Sequence, residues 1–501
     1  MTLILRGHAF RFETENICRL FLPHEKIAVF SELPSEEIQG VLAITELVQG
    51  ETETIIRCSV ELDGERQELT DHIGNDHPAY RDECELRIAT LLYDLFSDLL
   101  GFTLSWGIVT GVRPVKLLRH LVREQGEEKA LTYFRERLLV SETKLKLCQE
   151  TLRNENKILE LSRPDSFSLY ISIPFCPTRC DYCSFVSQTV ERAAKLIPAY
   201  VDNLCREIEE TGKIAATLGL RLETVYFGGG TPTTLSASEM AQVLRTVESS
   251  FDLSHLREYT VEAGRPDTVT KEKLQTIRAA GVSRVSINPQ TLEPEILRSI
   301  GRKHTVEQFY DAFDMARQCG FDHINTDLIA GLPGDTPQGF ASTLSGIFSL
   351  SPESITVHTL SMKRASNLVI RKRTPDIARE DAVSMVAMSA ERLTEKGYAP
   401  YYLYRQSRTV GGQENVGWSK PGMEGLYNVY IMDETHTILA CGAGAVTKMK
   451  QPHGTYLERI FNFKFPYEYN TGLSEMLNRK RQVLQFYEKN IAQTDTHASR
   501  D

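Results

Sequence analysis

Cys176, Cys180 and Cys183, inside the run LYISIPFCPTRCDYCSF, are the residues of this 501-residue chain whose type and spacing point most directly to chemistry. A cubane [4Fe–4S] cluster takes four thiolates, and this CxxxCxxC loop offers three. No fourth cysteine follows within reach in sequence. One iron is then left to chelate a small molecule, which turns an electron carrier into a reaction centre. Two other readings compete. A zinc loop would bring a second paired half-site such as CxxC or HxxxH, and three thiols can simply be core residues. No such second half-site lies nearby.

A loop of this kind needs a frame, and from residue 168 the sequence supplies one. A short β-branched run, a turn and an amphipathic stretch recur with a period of roughly 30 residues. The runs are SLYISIP (168–174), LETVYFGG (222–229), EYTVEAG (258–264), RVSINPQ (284–290), HINTDLIAG (323–331) and SITVHTLS (354–361). Between the second and third, Met240, Val243, Leu244, Val247 and Phe251 keep helical spacing, and Ser236 with Glu239 forms a capping-box pattern. Alternating strands and helices imply parallel pairing with right-handed crossovers. The predicted fold class is α/β, a partial (βα)6 TIM-like barrel with an N-terminal α+β domain and a C-terminal mixed α/β extension.

In βα barrels the chemistry sits where strands end, and the unusual residues keep that register. The cysteine loop follows the first strand. Gly228, Gly229, Gly230 and Thr231 end the second, where small residues admit a ligand and offer backbone N–H groups. Glu262 ends the third, an acid that needs a cationic or hydrogen-bonding partner if buried; a ligand group or an ion pair with Arg265 would serve. Gln290 ends the fourth, and Arg302 follows one helix later with a planar fork of donors. Asp327 lies within the apolar fifth strand, where a ligand hydroxyl or a salt bridge would explain it.

The flanks read differently. Residues 1–160 form an N-terminal α+β domain and helical linker: Ile56, Cys58, Val60 and Leu62 alternate as a half-buried strand, 79–100 is helical, and 127–160 is one long charged helical pattern. The barrel takes 161–365 and a C-terminal domain 366–501, with a helix at 380–397, a hairpin within YNVYIMDETHTILACGAGAVTK and helices from 466. Lys and Arg total 57 against 67 Asp and Glu, a net charge of −10, which disfavours a nucleic-acid partner. MTLILRGHAFRF is no signal peptide and no later run approaches ~18 apolar residues, so a cytoplasmic protein without a membrane span is expected. The other seven cysteines, Cys18, Cys58, Cys84, Cys148, Cys205, Cys319 and Cys441, read as ordinary buried residues.

The cysteine run, with Tyr182 before its last cysteine, resembles the signature of the radical S-adenosylmethionine (SAM) enzymes. YISIPFC, FGGGTPT, GVSRVSINPQTL, GRKH and DLIAGLPGDT extend the likeness to the oxygen-independent coproporphyrinogen III oxidases. GIVTGVRPVKLLR, CPTRCDYCSF, ENVGW and ACGAGAVTK look most like the HemZ branch of coproporphyrinogen dehydrogenases. The resemblance implies a [4Fe–4S] cluster on Cys176, Cys180 and Cys183. It implies SAM contacts at Tyr170, Gly229, Gly230, Thr231, Glu262, Gln290, Arg302 and Asp327. It implies a low-potential electron donor such as flavodoxin or ferredoxin, and oxidative decarboxylation of coproporphyrinogen III to protoporphyrinogen IX in haem biosynthesis, with SAM cleaved to a hydrogen-abstracting radical. No catalytic side chain is assigned.

Two departures bear on the substrate. The histidine of the family's YxHIPFC is Ser172, and the extra cysteine of the oxidases, two places after the last ligand, is Phe185. The haem-delivering relatives carry an HNxxYW-like motif, and GQENVGWSK (412–420) has no histidine; haem delivery, or radical chemistry on another tetrapyrrole, stands as the alternative. Four substrate carboxylates call for cations: Arg113, Lys116, Arg119 and His120 are candidates, though a solvated helix face suits them too. Arg405, beside Tyr401, Tyr402 and Tyr404, is another, in a tyrosine-rich wall fit for a macrocycle or for an interface.

Overall fold

The computed structural model describes the chain except residues 24, 36, 37, 39, 371–377 and 499–501, and describes backbone alone over 491–498. Contacts divide it into two units, Met1–Gln149 with Tyr404–Glu414, and Glu150–Leu403 with Asn415–Asp501.

The first unit is built on a sheet in the order β2-β1-β3-β4-β5, with β1 Thr2–Arg6, β2 Ala28–Phe30, β3 Leu42–Gln49, β4 Glu53–Leu62 and β5 Glu65–Gly74. Asp63 and Gly64 both have positive φ, 50° and 84°, the geometry of the two-residue turn that keeps a twisted hairpin in register. Ile56, Cys58 and Val60 point inward from β4, and helix Tyr80–Leu100 packs Cys84, Ile88, Leu92 and Phe96 against this sheet. The charged stretch after it is not one helix. Glu127–Thr132 and a π-turn, Tyr133–Arg137, end at Leu139, whose φ is +57°, and a new helix runs Glu142–Leu159. Glu414 is buried against Lys144 Nζ (2.5 Å) and Trp106 Nε1 (2.7 Å). Burial would raise its pKa, but these two donors hold it below the ordinary value.

The second unit carries an eleven-stranded sheet. Its centre is six parallel strands lying side by side in chain order: β6 Ser166–Ile173, β9 Arg221–Gly229, β10 Glu258–Glu262, β11 Arg284–Ser286, β12 His323–Ala330 and β13 Ser354–Thr359. A small separate ribbon, β7 Phe175–Cys176 with β8 Gln188–Thr189, follows β6. Helices cover the strands between crossovers; Ala237–Ser250 is closed by the Ser236/Glu239 capping box and buries Met240, Val243, Leu244 and Val247. β6 is buried along nearly its whole length, as parallel strands covered on both faces are.

The sheet does not break at residue 365. β14 Ala399–Arg405 and β15 Glu414–Ser419 extend it beyond β13, with β15 antiparallel to β13. β16 Thr437–Cys441 pairs parallel with β6 at the other flank, followed by β17 Val446–Lys450 and β18 Leu457–Phe461. Thus the expected hairpin is β16–β17, and YNVYIMD ahead of it is a helix, Leu426–Asp433. Further helices follow from Pro466. Six of the seven non-loop cysteines are buried, and Cys319 is half-buried. Among the described residues no helix is long and apolar enough to cross a membrane.

Candidate functional site

Cys176 leaves β6 within the short ribbon, and Cys180 and Cys183 follow in a loop with almost no regular structure. Its conformation is imposed from outside. Asp181 N–H donates to Ile300 O (3.0 Å), Thr178 Oγ1 to Gly301 O (3.1 Å), and Leu368 N–H to Asp181 O (3.0 Å). Arg179 Nη2 reaches Ala365 O at 2.7 Å, and Asn367 Nδ2 reaches Asp181 Oδ1 at 3.1 Å. All three thiols are free. Burial raises the pKa of Cys176 and pushes Cys183 up to about 11, so both rest as thiols until a metal supplies positive charge. Among the described residues no three His, Cys, Asp or Glu side chains converge tightly enough to hold a single metal ion. Three thiols on one exposed-to-buried loop instead suit a cluster, where each thiolate takes its own iron.

Gly229, Gly230 and Thr231 lie directly against this loop. The backbone N–H groups of Gly230 and Thr231 donate to Ile173 O (2.8 Å) and Phe175 O (2.7 Å), so they are not open to a ligand as the sequence suggested. The reason for glycine is contact: a Cβ on Gly230 would sit 2.5 Å from Phe175 O. Thr231 Oγ1 lies 3.6 Å from Cys176 Sγ.

From Tyr182 a line of hydrogen bonds runs to the acids. Arg302 is buried, and its Nη1 donates to Tyr182 Oη (3.1 Å), its Nη2 to Gly264 O (3.0 Å) and to Asn288 O, which leaves Nε without a protein partner. Asn288 Nδ2 donates to Asp327 Oδ2 (2.9 Å) and Asn325 Nδ2 to Asp327 Oδ1 (2.8 Å). His358 Nε2 stands 3.8 Å from Asp327 Oδ2. Burial alone would raise Asp327, but His358, Asn325 and Thr356 hold its pKa below the ordinary value. Glu262 goes the other way. Burial first, and then the charge of Asp327, lift it to about 7 against the hydrogen bond from Tyr226 Oη (2.5 Å). Below about pH 7 Glu262 therefore keeps its proton while Asp327 keeps its charge.

Gln290 lies past the end of β11, in a single bridge to Leu328, with φ +72°. That conformation is uncommon for a residue with a Cβ. Its N–H and C=O hold Asp327 O and Ile329 N, while its buried Oε1 has no protein partner. Tyr170 lies in β6 and stacks with Tyr226 (6.3 Å, 16°) and Tyr427 (6.0 Å, 13°), and the last two stack at 4.5 Å. Burial raises all three phenols, so they remain neutral.

Beside the rim, Ser172 Oγ donates to Ala443 O (2.8 Å), while Tyr200 Oη donates to Ser172 O (2.7 Å) and accepts from Ala443 N–H (2.9 Å). The glycine-rich turn after β16 is held by Glu207, which accepts from Gly442 N–H, Tyr469 Oη and Asn462 Nδ2 at 2.6–2.7 Å and pairs with Lys480 at 3.2 Å.

The Glu262–Arg265 ion pair, the alternative to a ligand contact at Glu262, does not form. Arg265 binds Asp267 through two bonds, 3.0 and 3.1 Å, and turns to the cysteine loop. Arg405 is no carboxylate receptor either: it is buried over Trp106, with its donors on Val109 O and Gly412 O. Burial lowers its pKa to about 10. Tyr401 and Tyr402 are core residues, at 0% and 5% exposure. In helix Pro114–Gln125, Arg119 is buried, and exposed His120 pairs with Glu124 at 3.2 Å. Asn288, His358, Tyr226 and Tyr427 had no sequence signal of their own.

Known proteins share much of this sequence and fold. A family model, the radical SAM superfamily, matches residues 170–345. The chain is 37% identical over 488 residues to the oxygen-independent coproporphyrinogen-III oxidase-like protein HemZ of Bacillus subtilis (strain 168), covering 96% of each. It is 31% identical over 313 residues to the heme chaperone HemW of the same strain, covering 60% of this chain and 77% of that one. The solved structure of coproporphyrinogen III oxidase (HemN) from Escherichia coli, a radical SAM enzyme, superposes with TM-score 0.51 at 23% identity over 64% of this chain and 72% of that chain, which is likeness of fold.

Proposed function

The chain belongs to the radical SAM superfamily and, within it, to the oxygen-independent coproporphyrinogen-III oxidase-like proteins, and from that premise we propose that it oxidatively decarboxylates coproporphyrinogen III to protoporphyrinogen IX. Its cofactors are the [4Fe–4S] cluster and SAM of that superfamily. In this reading Cys176, Cys180 and Cys183 hold the cluster. SAM lies along Tyr170, Gly229, Gly230, Thr231, Glu262, Gln290, Arg302 and Asp327. The observation that carries the reading is the continuous line from the cysteine loop through Tyr182, Arg302 and Asn288 to Asp327. It ends on an Asp327 held ionised, with Glu262, lifted to about 7, within its electrostatic reach and an unpartnered buried amide oxygen on Gln290. Buried polar atoms left without a partner are what a hydroxyl- and amine-bearing ligand satisfies.

When bound and reduced by one electron, the cluster and SAM supply a radical that abstracts hydrogen. The protein's own residues bind and orient. Asp327 stays ionised as an acceptor between two asparagines, Glu262 carries the exchangeable proton, and Arg302 fixes the loop against the strand ends. Each propionate R–CH2–CH2–COO− loses one hydrogen atom, CO2 and one electron to become R–CH=CH2. Two such turnovers give the divinyl product, with one electron entering from a low-potential donor of the flavodoxin or ferredoxin class each time and one leaving to an acceptor.

The test is anaerobic reconstitution with iron and sulfide, followed by dithionite, SAM and coproporphyrinogen III, with porphyrins and 5′-deoxyadenosine separated by chromatography. Both products are expected from the wild type and neither from Cys180→Ala. Deoxyadenosine without a vinyl product removes this substrate and leaves radical chemistry on another tetrapyrrole. The likeness to heme chaperones favours a second reading, haem binding and delivery. Against it, the stretch comparable to their motif is the buried strand β15, with Trp418 at 2% exposure and no histidine. Stoichiometric haem binding without SAM turnover under any reductant would establish it instead.

A further inference from the structure

Arg265 has no part in the reading proposed above, yet it is 3% exposed and points at a cluster thiol. It follows Gly264 just past β10, at the start of the Arg265–Pro266–Asp267 turn. Its Nη1 lies 3.7 Å from Cys180 Sγ, 3.1 Å from Thr178 Oγ1 and 3.4 Å from Thr178 O. Nε and Nη2 grip Asp267 at 3.0 and 3.1 Å, which fixes the plane of the fork. All three donor nitrogens are thus engaged, and one is aimed at sulfur. A buried guanidinium carries a desolvation cost, and a second structural acceptor would serve as well as a thiol if only packing mattered.

We propose that Arg265 sets the reduction potential of the cluster by donating a charge-assisted hydrogen bond to the Cys180 thiolate. The inference rests on the cluster assignment above. One-electron reduction takes a cubane with three thiolate ligands from net charge minus one to minus two. A cation and an N–H···S bond at one ligand stabilise the more negative state and raise the potential. Asp267 partly neutralises the same guanidinium, so the two residues act in opposite directions: Arg265 raises the potential and Asp267 limits the rise. This places the turn after β10 in the role of tuning how strong a reductant the protein needs. Arg265 is a positioning and tuning residue; it touches a metal ligand and no substrate.

The experiment is an EPR-monitored redox titration, with dithionite and mediators, of anaerobically reconstituted wild type, Arg265→Gln, Arg265→Lys and Asp267→Asn, with iron and sulfide counted in each. Arg265→Gln is expected to lower the equilibrium constant for reduction about tenfold, a shift of about 59 mV to more negative potential for a one-electron couple. Arg265→Lys is expected to shift less, and Asp267→Asn to shift the other way. Full clusters with midpoints unchanged across the series overturn the proposal while leaving the cluster assignment intact. A wild type that takes up no iron removes the assignment itself. If the wild type loads and all three variants do not, Arg265 is a structural clamp and the tuning role is refuted.

Discussion

Glu262→Gln should stabilise the metal-free protein at alkaline pH and do little in acid. Glu262 sits at the end of β10 with Tyr226 Oη 2.5 Å from its Oε1. Burial, reinforced by Asp327, lifts its pKa from 4.5 to about 7. The folded state therefore holds a proton that the unfolded state releases between pH about 4.5 and 7. Stability is at its highest below the lower value and is lost as pH rises through the upper one. At 1.36 kcal/mol per unit, a shift of that size costs about 3 kcal/mol at pH 8 and about 1 kcal/mol at pH 5. Glutamine keeps the acceptor for Tyr226 and removes the charge, so it should recover those amounts. Trp106 belongs to the first unit and Trp418 to β15, so in a shared Trp106→Phe background the fluorescence of Trp418 follows the sheet during urea unfolding. Equal stability of the two proteins at pH 8, or a difference that does not shrink at pH 5, would refute this account of the carboxylate pair.

Gly230→Ala should empty the cluster loop without unfolding the sheet, because its Cβ would meet backbone oxygens of Phe175 and Ile173 at 2.5 and 2.9 Å; iron per chain after reconstitution should fall well below half of wild type with far-UV circular dichroism unchanged. Lys480→Met removes the cation that faces Glu207 at 0% exposure and should cost about 3–5 kcal/mol in urea unfolding, with Glu207→Gln added to it restoring part of the loss. Arg302→Ala strips the donors from Tyr182, Gly264 O and Asn288 O; about 2–4 kcal/mol is the expected loss, read from the urea midpoint.

What the sequence revealed and what it hid divide along one physical line. Six β-branched runs with amphipathic stretches between them are period signals within short windows, and they became β6 and β9 to β13 in consecutive order. The cysteine spacing is local as well. Partners across strands are not local. Glu262 and Arg265 are three apart, so an ion pair stood as the alternative to a ligand. But Pro266 follows at once in a 3-10 turn, and Arg265 turns toward Thr178 and Cys180, which only the β6–β9–β10 pairing brings near. YNVYIMD has the aromatic and β-branched content of a strand, yet tertiary packing makes it a helix that sends Tyr427 into the stack with Tyr226. No glycine or proline marks the break at Leu139, so the long helix before the sheet looked continuous.

The same distinction explains how a loop so poor in its own hydrogen bonds can present three thiols in a fixed arrangement. Soft metal ligands on an unstructured segment would lose entropy on capturing iron, so a loop pre-set by its surroundings binds better. Here the surroundings are remote in sequence: Ile300 and Gly301 beneath Asp181 and Thr178, Ala365 and Leu368 above Arg179 and Asp181, Arg302 against Tyr182 and Arg265 against Cys180. The segments 300–302 and 365–368 follow β11 and β13, three and five strands along the parallel array from β6. The geometry of the thiols is therefore a property of the whole array. A substitution near residue 300 or 366 reaches the cluster with no change to any cysteine.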